Sequence, residues 1–151
     1  MATIIRILGR SGCGKTTFID KLIPELSPLR VAVIKHTHHE LNSPTKEKDT
    51  GKHLAAGAIV SVGLGMNSAE AFWQKNPPDF PEMIRLIENR VDLIIVEGGR
   101  NIDLPTILIG EEPPDSILKQ LIACLSRFPP ISEIQKIMPI LHALVKNNNE
   151  P

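Results

Sequence analysis

A chain of 151 residues can bury one sizeable core without disulfides or a structural metal, so a single domain over residues 1–151 is expected. Its 17 Lys and Arg balance its 17 Asp and Glu, and with no basic block, no tyrosine and only Trp73 it lacks the charge and stacking surfaces of a nucleic-acid binder. No stretch approaches the roughly 20 apolar residues that span a membrane, the apolar run from Thr3 is interrupted by Arg6 and stops at Gly9 and so does not read as a targeting signal, and Cys13 and Cys124 lack metal-clip spacing, which together predict a soluble, cytoplasmic protein with free thiols.

The β-branched run Thr3–Leu8, interrupted only by Arg6, reads as a strand. It feeds Gly9-Arg10-Ser11-Gly12-Cys13-Gly14-Lys15-Thr16, which fits the phosphate-loop pattern G-x-x-x-x-G-K-[ST] without a gap, and Thr17 and the residues after it continue with helical spacing. Gly9, Gly12 and Gly14 permit positive φ, so that backbone N–H groups converge on phosphate oxygens at a helix N-terminus. Lys15 is placed to neutralise the β- and γ-phosphates and Thr16 to complete the coordination of Mg²⁺. The helix is expected from Lys15 to Glu25, ending by Ser27-Pro28.

Arg30–Lys35 follows as a second strand whose unbroken apolar run, Val31–Ile34, predicts cover on both faces. The segment Lys35-His36-Thr37-His38-His39-Glu40 then lies at the carboxyl edge, where open α/β sheets hold ligands. Its H-x-H-H spacing allows metal binding, ligand contact or local capping. Leu41–Lys48 reads as a surface loop able to close over a nucleotide, Asp49–Ala56 as a short helix ended by Gly57, and Ala58–Val62 as a third strand broken by Gly63 and Gly65. Met66–Lys75 fits no single period. A helix from Pro81 to Asn89 presents Met83, Ile84, Leu86 and Ile87 to the core.

Val91–Val96 is a clear strand that delivers Glu97-Gly98-Gly99-Arg100 to the carboxyl edge. Asp92 and Glu97 are about 16 Å apart along such a strand, so only one of them can serve a phosphate at that edge. Glu97 is the one, to hold Mg²⁺ through water or to orient an attacking water, and the two glycines after it leave the backbone room beside a ligand. Asp92 starts the strand or caps a neighbour. Pro105–Ile109 is a further strand. Pro113-Pro114-Asp115 opens a helix with Ile117, Leu118, Leu121, Ile122 and Leu125 on its apolar side, which puts Cys124 in a helix. A last helix over Ile131–Val145 sets Ile134, Ile137, Met138, Leu141 and Leu144 on an apolar stripe, for the core or for a partner, and is kinked or divided at Pro139, with a frayed tail from Lys146. The fold class is α/β: a three-layer P-loop NTPase domain with a mostly parallel β-sheet flanked by helices.

Four motifs give the chain a family resemblance: the phosphate loop, Val31–His39 matching V-x-V-I-K-H-T-H-H, Lys48-Asp49-Thr50 with Lys52 and Ala56-Gly57-Ala58, and Asp92 with Glu97-Gly98. Together they resemble the molybdopterin-guanine dinucleotide biosynthesis protein B family, MobB. Departures are Pro44-Thr45-Lys46-Glu47 where the family has D-x-P-G, and Gly99-Arg100 where it places an aromatic residue and lysine. A further one is Pro105-Thr106 in place of proline-lysine. The resemblance implies a homodimeric, GTP-binding protein with weak GTPase activity that acts beside the guanylyltransferase of molybdenum cofactor synthesis, with molybdopterin as a further ligand. It also implies ligand or Mg²⁺ contacts from Lys35, His36, His38 and Asp49. GTP rests on the resemblance, since no N-K-x-D element follows the later strands. A small-molecule or nucleoside kinase, with His36, His38 or Asp49 at the acceptor, and a nucleotide-gated binding module without catalysis are the alternatives.

Overall fold

Five strands rich in Ile, Leu and Val form the parallel sheet of this chain, and its central strands, Thr3–Leu8, Leu93–Gly98 and Thr106–Ile109, are buried along nearly their whole length. The computed structural model describes residues 1–37, 39, 41, 44 and 47–149. They fall into two compact units, Met1–Thr37 with Arg85–Pro151, and His38–Ile84.

In the first unit, β1 (Thr3–Leu8) lies at the centre of the strand order β2-β5-β1-β6-β7, with β2 at Val31–His36, β5 at Leu93–Gly98, β6 at Thr106–Ile109 and β7 at Leu121–Leu125. Every pairing is parallel. All five strands therefore end at one edge, and the loops that follow them share it. One face of the sheet packs Ile5, Ile7, Leu93, Ile95, Ile107 and Ile109 against Phe18 and Leu22 of α1 (Lys15–Glu25) and Ile134, Ile137 and Leu141 of α4 (Ile131–Asn149). Leu8 and Leu108, on the other face, pack with Ile117. The outcome is the expected α/β P-loop architecture, a parallel sheet flanked by helices.

Arg6 is a cation buried in this largely apolar interior. It is 2% exposed, yet its guanidinium is tied by two of its nitrogens: Nε donates to Thr106 Oγ1 at 2.9 Å, and Nη1 donates to the carbonyls of Gly99 (3.0 Å), Arg100 (3.1 Å) and Ile102. Burial pushes its pKa down, with Asp103 opposing the shift. The side chain that interrupts the first strand thus ties β1 to β6 and to the loop leaving β5.

The second unit packs α2 (Asp49–Ala55) on β3 (Val60–Leu64), which pairs antiparallel with β4 (Ala69–Trp73). α3 (Phe80–Ile87) begins in this unit and ends in the first.

Several expectations require correction. β2 is an edge strand, and Val33 is 44% exposed, so its apolar run does not mean cover on both faces. β3 starts two residues late and runs through Gly63, because Gly63 pairs with Glu70 across the hairpin; Met66–Lys75 contains β4. Leu86 is exposed. The helix expected after Pro114 is one short 3₁₀ stretch, Asp115–Gln120, followed by β7, so Cys124 is on a strand. The spacing of Ile117, Leu118, Leu121, Ile122 and Leu125 suits a helix, but Leu121–Leu125 is also a five-residue apolar run, and pairing with the open side of β6 decides between them. α4 passes through Pro139 without a break and continues to Asn149, so Lys146–Asn149 is helical.

Candidate functional site

The phosphate loop joins the end of β1 to the start of α1. Gly9, Gly12 and Gly14 all have positive φ, 152°, 71° and 97°. Gly14 caps α1 in the left-handed region, and a Cβ there would lie 2.6 Å from the Phe128 ring, so glycine is required on both counts. No side chain caps the first turn of α1, and it holds no acidic residue, which leaves its backbone donors and positive dipole end for an anion. Cys13 is buried in the core beneath the loop, while Arg10, Ser11, Thr16 and Thr17 are exposed. Lys15 Nζ donates to the carbonyls of Gly9 and Arg10, both at 2.9 Å, which folds the ammonium back over the loop.

Thr16 and Glu97 come together from elements 81 residues apart: Thr16 Oγ1 donates to Glu97 Oε1 at 3.0 Å. Glu97, 9% exposed, is the last residue but one of β5, so the strand itself fixes it at the carboxyl edge. A hydroxyl and a carboxylate are the oxygen donors Mg²⁺ prefers, and a cation held chiefly by water and phosphate needs few protein ligands. The residues therefore fit a nucleotide with Mg²⁺: Lys15 and the loop backbone for phosphate, Thr16 and Glu97 for the cation.

The parallel register sets Lys35 beside Glu97 and His36 beside Gly98. Gly98 has φ 91°, and a Cβ on it would meet the His36 carbonyl oxygen at 2.5 Å; a Cβ on Gly99 would meet Ile102 at 2.9 Å. Gly98 thus admits the carbonyl of the adjoining strand, and Gly99 the Ile102 side chain of its own loop. Asp92 lies at the opposite end of β5 and accepts from Arg30 through both carboxylate oxygens, Oδ1 from Nη2 at 2.8 Å and Oδ2 from the backbone N at 2.8 Å. Those bonds hold its carboxyl below the usual range. Asp49 belongs to the second unit, where its Oδ1 accepts from Lys52 Nζ at 3.0 Å. His38 and Glu40, with Asn42, Ser43, Thr45 and Lys46 of the Leu41–Lys48 loop, lie outside the described residues. Among the described residues no group of three His, Cys, Asp or Glu could hold a metal ion.

Other residues join the loop without a motif to announce them. Glu111, after β6, pairs with Arg100 at 3.0 Å and with Arg10 of the phosphate loop at 4.0 Å. After β7, the Phe128 N–H donates to the Cys13 carbonyl at 3.0 Å, and Arg127 Nη2 donates to the Gly12 carbonyl at 3.2 Å.

Residues 4–126 match the family model described as molybdopterin guanine dinucleotide synthesis protein B, MobB. The chain is 31% identical over 137 residues to the molybdopterin-guanine dinucleotide biosynthesis adapter protein of Haemophilus influenzae, covering 83% of this chain and 75% of that one. To the corresponding adapter protein of Escherichia coli it is 29% identical, over 85% and 81%. Among solved structures, a crystal structure of molybdopterin-guanine biosynthesis protein B superposes with a TM-score of 0.71 at 22% identity, over 95% of this chain and 99% of that one. Bacillus subtilis MobB gives 0.66 at 22%, over 93% and 96%. At such identities the superpositions speak for the fold.

Proposed function

The chain belongs to the MobB family, and from that premise we propose that it is a GTP-binding adapter in molybdopterin guanine dinucleotide synthesis, with slow GTPase activity. The observation that carries the nucleotide part is the Thr16–Glu97 bond beside Lys15, which brings hydroxyl, carboxylate and ammonium to one loop. The adapter part is supported by the names of the relatives. In this reading the loop N–H groups and Lys15 bind the triphosphate, Thr16 and Glu97 hold Mg²⁺, and Lys35 and His36 contribute from the adjoining strand end. GTP supplies the phosphoanhydride and Mg²⁺ its charge neutralisation. Glu97 orients a water by accepting its proton in a hydrogen bond, and no covalent step falls to the protein. The partner is the guanylyltransferase of the same pathway, with molybdopterin within reach of the assembly, and the working form is a cytoplasmic homodimer.

Isothermal titration with GTP and with ATP in the presence of Mg²⁺ tests the reading. GTP should bind more tightly, and Lys15→Ala should abolish binding. A preference for ATP refutes the GTP assignment, and retained affinity in the variant refutes the phosphate-loop site. Phosphate release with and without the guanylyltransferase separates adapter from enzyme, since fast turnover by the chain alone contradicts the adapter.

A further inference from the structure

The loop Ser126–Pro130 leaves β7 at the same sheet edge as the phosphate loop leaves β1. It is fastened on both sides. Glu133, in the first turn of α4, accepts from the Ser126 N–H at 2.8 Å. Toward the phosphate loop, contacts fall on three successive residues: Arg127 on the Gly12 carbonyl, the Phe128 N–H on the Cys13 carbonyl, and the Phe128 ring on Gly14.

Two features of Phe128 are costly. Its φ is 51°, a left-handed backbone that a bulky side chain adopts only under constraint. The residue is also 55% exposed, although Phe18, the other phenylalanine of the first unit, is buried. The Arg127 guanidinium stands over the ring with Cζ 5.3 Å from its centroid, within cation–π reach. A strained loop thus holds a partly exposed flat surface against the residue that caps α1.

We propose that Phe128 and Arg127 form the seat for the purine base of the nucleotide, with Arg127 selecting guanine. This rests on the reading of Gly9–Thr16 as a phosphate site and extends it to the far end of the same ligand. A base has a π-face that can stack on the Phe128 ring, with its edge turned to the guanidinium beside it. Arginine carries five donors, and its described hydrogen bond to Gly12 uses Nη2. The fork suits a base edge that presents two acceptors, as guanine O6 and N7 do, whereas adenine sets an amino donor beside its N7. The seat accounts for guanine recognition in a chain without the N-K-x-D element.

The test compares Mg²⁺–GTP with Mg²⁺–tripolyphosphate, which shares the phosphates and lacks the base. Phe128→Leu should weaken GTP binding about 5- to 100-fold, the range of one lost base stack, and leave tripolyphosphate within about twofold. Arg127→Gln should erase the preference for GTP over ATP. Phe128→Trp in a Trp73→Phe background should retain GTP binding, and its single indole should be quenched by GTP and not by tripolyphosphate. Undiminished GTP binding by Phe128→Leu overturns the seat, as does equal loss of both ligands or an indole indifferent to GTP. Failure of the underlying phosphate site is distinguishable, because Lys15→Ala would then bind both ligands as the parent chain does.

Discussion

Replacing Arg6 with methionine keeps most of the side chain's volume and removes every hydrogen bond it makes. Two of the four acceptors, Thr106 Oγ1 and the Gly99 carbonyl, lie at bonds buried from water; those at Arg100 and Ile102 are partly buried and can be rehydrated. An acceptor left unsatisfied in the interior costs about 1–3 kcal/mol. Thr106 keeps a bond through its own hydroxyl, which donates to the Leu104 carbonyl at 2.7 Å, so its loss is at the low end. Against these stands relief from burying a cation, the cause of the lowered Arg6 pKa. The balance is a destabilisation of about 2–4 kcal/mol, or a fall in melting temperature of roughly 4–16 °C for a chain of this size. Circular dichroism melts of Arg6→Met beside Arg85→Met, a change on the exposed face of α3, measure it directly. The surface variant should stay within about 0.5 kcal/mol of the parent chain. An Arg6→Met melting temperature within about 2 °C of the parent would show that the tie between β1, β6 and the loop after Glu97 contributes nothing.

Other changes probe the site and its supports. Glu97→Gln preserves an acceptor for Thr16 and removes the charge, so the chain should stay folded while the gain in GTP affinity on adding Mg²⁺ shrinks; titrations with and without Mg²⁺ showing an unchanged gain would remove Glu97 from the cation. Gly98→Ala sets a methyl group 2.5 Å from the His36 carbonyl at φ 91°, and should destabilise by about 2 kcal/mol or more, read as a shifted urea midpoint. The bonds from Arg30 depress the Asp92 carboxyl in the folded chain, so its contribution to stability is fully present above the unfolded value of about 4 and is lost as pH falls through the lower folded one. The stability gap between the parent chain and Asp92→Asn should therefore be flat from neutral pH down to about 5 and close at more acid pH, and a gap that widens in acid contradicts the Arg30–Asp92 pair.

Which parts of this molecule were legible in its sequence depends on how local their causes are. The β1, phosphate-loop and α1 sequence is set by glycines within eight residues of one another and an apolar run on each side, and the structure has it with the expected bounds for the helix. Glu97 needed only the length of a strand, because five residues separate the two ends and one end faces the loops. Asp92 followed by the same measure; of its two expected roles, starting the strand or capping a neighbour, it has the second, since β5 begins at Leu93 and its carboxylate accepts from the Arg30 N–H. Gly98 and Gly99 are less legible, since a sequence does not tell that the next strand comes close to the first and the Ile102 side chain of the same loop to the second. Arg6 was visible as an interruption, but its four acceptors lie about a hundred residues away and share no period with it.

The segment after Pro114 shows how one local ambiguity propagates into chemistry. Apolar residues at 117, 118, 121, 122 and 125 satisfy a helix, and the same letters from 121 to 125 satisfy a buried parallel strand. The choice is made outside the segment, by β6, whose remaining side would otherwise present unpaired N–H and C=O groups. A helix over those residues makes Arg127 and Phe128 part of a linker between two helices. A strand that ends at Leu125 carries them to the sheet edge where the phosphate loop lies, against Gly12, Cys13 and Gly14. The exposed aromatic ring and the arginine over it acquire a place in the site only through the pairing of β7 with β6, a contact that no window of sequence around them contains.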